Sequence, residues 1–90
     1  MTPSKEECLS FLEDKVFLPA ESNPNADKEI KEAIQRTRIK YQECLNADEI
    51  LKRVKRAQHT ESGQNMALRL LSIGAPTFEQ YMEEFKALWK

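Results

Sequence analysis

Glycine is scarce in this chain, with two in ninety residues. Hairpin turns depend on residues that take positive φ, so a hairpin-rich β fold is excluded. Phosphate-cradling loops are equally out of reach: there is no GxxxxGK[ST], no GxGxxG and no GxSxG. Histidine occurs once, and the two cysteines, Cys8 and Cys44, form no CxxC pair. Without an ExxH pair either, no local metal set exists and no cofactor is expected. Long apolar runs are missing too. None approaches the ~20 residues that span a bilayer. The first residues are acidic where a secretory signal would be basic, which points to a cytoplasmic protein. Neither sign of charge dominates, since 14 Lys and Arg face 15 Asp and Glu.

What is present is helical periodicity with caps. Ninety residues make one domain, and the expected fold is all-α, a four- or five-helix bundle over residues 1–90. Helices are predicted at about 3–18, 26–45, 47–59, 64–73 and 77–90. Ser4 with Glu7 has capping-box spacing, Asn46 with Glu49 repeats it, and Thr77 with Gln80 repeats it again. Pro19 is expected to end the first helix and Gly74 the fourth. The first stripe is Cys8, Leu9, Leu12 and Val16, with Phe11 flanking. In the second helix Ile30, Ala33, Ile34, Thr37, Tyr41, Cys44 and Leu45 share one third of the circumference. Only Ile39 falls outside that stripe. The fourth segment is apolar over more than half its girth, so it is expected to be the most buried, with Leu68 and Leu71 in the core. Thr60-Glu61-Ser62-Gly63 is expected to break the chain between the third and fourth helices, which merge or kink at Ser62-Gly63 if they are not separate. Phe78, Tyr81, Met82, Phe85, Leu88 and Trp89 form the inner face of the last helix, and both cysteines are expected to be reduced and buried.

Charge is unevenly spread. Residues 1–30 carry three basic and seven acidic side chains, residues 31–60 eight and four, and residues 61–90 three and four. The middle third is thus +4, and its Lys52, Arg53, Lys55 and Arg56 on the third helix, with Arg36, Ile39 and Lys40 on the second, are the candidate partner-binding residues. Arg38 belongs to the same basic stretch. Cations near a helix C-terminus are also favoured by the helix dipole, at about 0.3–1 kcal/mol each. Arg53-Val54 with His59 five residues on resembles, over seven residues, the Arg-φ-x(3–6)-His motif of the helical HEPN ribonucleases. That resemblance implies RNA cleavage by Arg53 and His59 of a dimer, although that family has a polar residue where this chain has Val54. No catalytic residue is assigned from the sequence itself. The expected function is contact with a protein partner: an adaptor, an immunity or inhibitor-type protein, or an assembly subunit. A nucleic-acid or phosphate-binding module using the basic face is the alternative.

Overall fold

Ser4, Asp27, Asn46, Thr60 and Thr77 each hold extended backbone immediately before a helix. Short polar side chains there accept the amides that a helix start leaves without partners. Ser4 Oγ accepts from Glu7 N, Asp27 Oδ1 from Ile30 N, Asn46 Oδ1 from Glu49 N and Thr60 Oγ1 from Gly63 N. In the computed structural model, which describes residues 2–90, these caps open five helices. We number them α1 over residues 5–21, α2 (Lys28–Gln42), α3 (Ala47–Ala57), α4 (Glu61–Ser72) and α5 (Phe78–Ala87). The protein is all-α, and no strand occurs among the described residues.

α1 departs from expectation. It runs through Pro19 to Glu21, as α-helix over Lys5–Leu12, a π-turn over Glu13–Phe17 and α-helix again over Leu18–Glu21. Leu18 N donates to Glu13 O, five residues back. A proline in a regular helix loses one hydrogen bond and presses its ring on the carbonyl four residues before it. Pro19 instead sits in the first turn after the widened one, where both costs are relieved. The π-turn also resets the register. At 100° per residue Phe17 would lie about 180° from Cys8. One residue absorbed by the wider turn brings it to about 80°, and Phe17 and Ala20 are buried at 4% and 1% exposure. Neither residue belongs to the expected stripe.

The core is built from α1, α2, α3 and α5. Cys8, Leu12, Cys44, Ile50, Val54 and Phe85 are the largest of its fully enclosed side chains. Phe17, Tyr41 and Phe78 form a triangle of rings with centroids 6.0–6.1 Å apart. Phe85 meets Phe11 at 5.6 Å and Trp89 edge-on at 5.3 Å, distances that favour aromatic pairs. Trp89 Nε1 donates to Asp48 Oδ1 at 2.9 Å, which fastens the end of α5 to the start of α3.

Four further expectations need correction. Leu45 is 86% exposed, because α2 ends at Gln42 and Cys44 N turns back to Tyr41 O, breaking the helical register before residue 45. α3 ends at Ala57 and α5 spans Phe78–Ala87, each shorter than its pattern implied. The break between α3 and α4 is Gln58-His59-Thr60 rather than Thr60-Glu61-Ser62-Gly63, and the chain neither merges nor kinks at Ser62-Gly63, since α4 already begins at Glu61. Gly63 lies inside α4, beside the carbonyl of Ala57. α4 is not the most buried helix: only Leu70 is buried, while Leu68 is 65% and Leu71 54% exposed. A helix at the edge can cover one side only, whatever its apolar girth.

Polar ties secure this edge helix. Arg69 pairs with Glu29 at 2.9 Å and lies 3.5 Å from Asp27. Asn23 Nδ2 donates to Ile73 O at 3.0 Å. At its end Ala75 N reaches Leu70 O and Gly74 N reaches Leu71 O, with Gly74 at φ +73°. This double closure requires the left-handed residue that glycine supplies.

Candidate functional site

The basic face comes directly from the packing of α3. Ala47, Ile50 and Val54 are buried, with Leu51 partly so, and at 3.6 residues per turn Lys52, Lys55 and Arg56 are left on the opposite side. All three are exposed. None has a carboxylate within 4 Å among the described residues, although the chain carries more acidic than basic groups. Lys52 lies one turn from both Lys55 and Arg56. Like charges at such spacing cost an isolated helix roughly 0.2–0.5 kcal/mol per pair. The helix dipole offsets this for Lys55 and Arg56 in the last turn; Lys52, farther from the C-terminus, gains less.

The other proposed residues divide between different surroundings. Arg53 pairs with Glu49 one turn back at 3.6 Å, on the flank of α3 near Cys44. Arg36 lines an open groove of about 560 Å³ between α2 and α4, together with Glu29, Glu61, Asn65, Met66 and Arg69. Ile39 is 46% exposed and Lys40 is exposed beside it. The basic stretch therefore yields an outward row on α3 and a separate set on α2.

Arg38 is not part of either surface. Its Nε and Nη2 each donate to a Glu13 carboxylate oxygen at 2.7 Å, its Nη1 donates to Glu21 and to Gln35, and its guanidinium lies 5.8 Å from the Phe17 ring centroid. The hydrogen bond to Glu13, more than that to Glu21, holds Arg38 still more firmly protonated than an ordinary arginine. Glu13 and Glu21 would stand about 80° apart on an unbroken α-helix. The π-turn swings them to one side, where a single guanidinium spans both. Periodicity counting places Arg38 among the surface cations because the partners that withdraw it lie 25 and 17 residues away.

His59 follows the end of α3 and is exposed, while Arg53 is engaged by Glu49. Both thiols are buried and free, at 0% and 2% exposure. Burial, with smaller help from Glu7 and Asp48, pushes the Cys8 thiol up to about 11, and burial raises Cys44 too. Among the described residues no group of three or more His, Cys, Asp or Glu is placed to hold a metal ion, and no helix is long and apolar enough to cross a membrane.

A second surface went unassigned in the sequence reading. Pro19, Leu71, Gly74, Ala75, Pro76, Gln80 and Tyr81 line a shallow cleft of about 400 Å³ beside the outer face of α4. Its components come from the end of α1, from Leu71 of α4, from the α4–α5 turn and from α5. The fourth segment's apolar excess is the one sequence signal that bears on it. No family model, curated protein or solved structure matches the chain.

Proposed function

We propose that this protein is a small helical interaction or regulatory protein, an adaptor, inhibitor-type protein or assembly subunit, that engages an acidic surface of a protein partner through the outer face of α3. Lys52, Lys55 and Arg56 are the primary contacts. Arg53 flanks them, and Arg36, Ile39 and Lys40 supply a second contact set from α2. The observation that carries this reading is the row of three exposed cations without a carboxylate partner on one helix face. Rows of one sign raise the encounter rate with a surface of the opposite sign and reject like-charged ones. An acidic protein suits the row better than a nucleic acid. Stacking platforms for bases are aromatic, and every exposed position of α3 is occupied by a charged side chain.

The test is capture from the native host with the wild-type chain and with Lys52→Glu/Lys55→Glu/Arg56→Glu. Capture of an acidic protein that survives nuclease, weakens with salt and disappears in the triple variant is the expected result. Equal capture by both chains removes α3 as the contact. Captured material that is nucleic acid transfers the surface to the phosphate-binding reading, whose salt dependence is steeper.

A further inference from the structure

α4 adds little to the enclosed core of this protein. The largest fully enclosed side chains, Cys8, Leu12, Cys44, Ile50, Val54 and Phe85, all lie outside it. From α4 itself only Leu70 is buried, and Met66 and Ala67 are partly covered. Its other attachments are polar. Arg69 reaches Glu29 and Asp27, whose side chains are mostly exposed, and exposed ion pairs are screened and weak. Asn23 Nδ2 holds the carbonyl of Ile73, just past the helix end. Nor does the segment keep its shape unaided. It is 12 residues long, at the lower edge of the ~12–15 that an isolated helix needs in water. Ser62, Gly63, Asn65 and Ser72 are all poor helix formers as well.

Few buried apolar contacts, combined with exposed polar ones, mark a region that opens at less cost than global unfolding. We infer that α4 is such a region, a lid that undocks and unfolds as one unit while α1, α2, α3 and α5 stay folded. The chain on either side permits this. Gln58-His59-Thr60 before the lid and Gly74-Ala75-Pro76 after it lie outside the helices, and Ala75, itself buried, fixes the chain beyond it. Opening bares the apolar surface beneath Leu70 and Met66. It releases Asp27 and Glu29 from Arg69, and it dismantles the groove around Arg36, of which Glu61, Asn65, Met66 and Arg69 form one wall. The outward row on α3 is left in place, so the lid and the α3 contact stand or fall separately.

Native-state amide hydrogen exchange of the full chain, followed through low urea concentrations, is the test. The amides of residues 65–72 should share one opening. They should exchange at least about tenfold faster than the slowest amides of α3 in the absence of urea, a gap of ~1.4 kcal/mol in opening free energy. Their rates should also climb less steeply with urea, because a lid exposes less surface than the whole molecule. Cys8→Ala supplies a second measurement. Cys8 lies on α1 within electrostatic reach of Asp48 at the start of α3, whereas α4 follows the end of that helix. The substitution therefore weakens the core equally with the lid open or closed. It should speed the slowest amides of α3 and leave those of residues 65–72 unchanged. The inference is overturned if residues 65–72 match the slowest amides in rate and urea slope, or exchange at graded, unrelated rates. It is equally overturned if they speed up in step with α3 in Cys8→Ala. Should that variant not fold, the urea slopes of the wild type decide alone.

Discussion

Arg38 is one side chain that bonds to two segments of α1 at once. Its guanidinium ties Glu13, within the π-turn, to Glu21, beyond Pro19, and holds both against α2. Its own side chain is 13% exposed, so the bonds it makes are partly shielded from water. Charge-assisted hydrogen bonds of this kind are worth about 1.5–3 kcal/mol, less where a partner is half open to solvent. Arg38→Met is expected to cost about 1–3 kcal/mol in urea unfolding, and Arg38→Lys to recover only part, because an ammonium cannot reproduce the planar fork. An Arg38→Met protein as stable as the wild type would show the clamp to be idle. The buried thiols and phenol make a second expectation. Cys8 rises from 9.0 to about 11 and Tyr41, by burial first, from 10.0 to about 12. Both are neutral when protonated, so above the unfolded values the native state holds protons that the unfolded chain has lost. By linkage, stability then falls as pH rises. The Cys8 contribution is intact below pH 9.0 and lost as pH climbs through about 11, and that of Tyr41 is intact below 10.0 and lost through about 12. Melting temperatures should therefore decline beyond pH 9.0, and more gently in Cys8→Ala across the thiol window. Parallel declines would mean that Cys8 ionises freely.

The two glycines occupy elements with opposite demands. A Cβ on Gly63 would lie 1.8 Å from Ala57 O and 2.7 Å from its carbonyl carbon, both backbone atoms of the preceding helix. That carbonyl also receives Thr60 N and Thr60 Oγ1, so it has no freedom to retreat without undoing the cap of α4. A Cβ on Gly74 meets nothing within 4 Å, and the cost there is only that of a side chain at φ +73°. Gly74→Ala should cost about 1–2 kcal/mol, the usual penalty for left-handed backbone. Gly63→Ala should cost more, about 3 kcal/mol or above, through forced separation of α3 from α4. Denaturant titration of the two variants checks the order, and a smaller loss at Gly63 would contradict the close approach. The helix-ending role of Gly74 is legible in the sequence because it is local. That of Gly63 is not, because a glycine kept for close packing and a glycine kept for a turn look alike until the neighbouring helix is in place.

At the scale of the molecule, α4 is a lid on one side of a four-helix core. Leu70 enters that core at 7% exposure while Leu68 and Leu71, its near neighbours in sequence, face outward. The helix is retained by its ends, by the Gly74 closure and the Asn23 bond, and by the Arg69 ion pairs. Positive charge gathers on α3 and α2, and apolar exposure gathers on α4, so the molecule presents two surfaces of different chemistry. Polar contacts hold α4 in place and leave its leucines exposed, so Leu68→Glu or Leu71→Glu is expected to keep the wild-type melting temperature.

Local physics was enough for the sequence to determine the all-α class and most helix starts. Ser4 and Asn46 begin helices because their side chains reach amides three residues on, and Thr77 because the Gln80 side chain reaches back to accept from its amide, and Gly74 ends one because it alone there takes positive φ. The stripe of Ile30, Ile34 and Tyr41 was equally legible, since burial followed from regular periodicity. Three matters were left to tertiary structure. The burial of Phe17 and Ala20 depends on a π-turn that shifts the helical register, which regular periodicity does not show. The exposure of Leu68 and Leu71 depends on which side of α4 its neighbours reach. The division of the basic stretch into a withdrawn Arg38, a groove-lining Arg36 and an outward row on α3 depends on contacts many residues apart in the chain. Hydrophobic and charged patterns state what each residue favours. Which of those preferences is met is decided by the limited surface that five helices can cover.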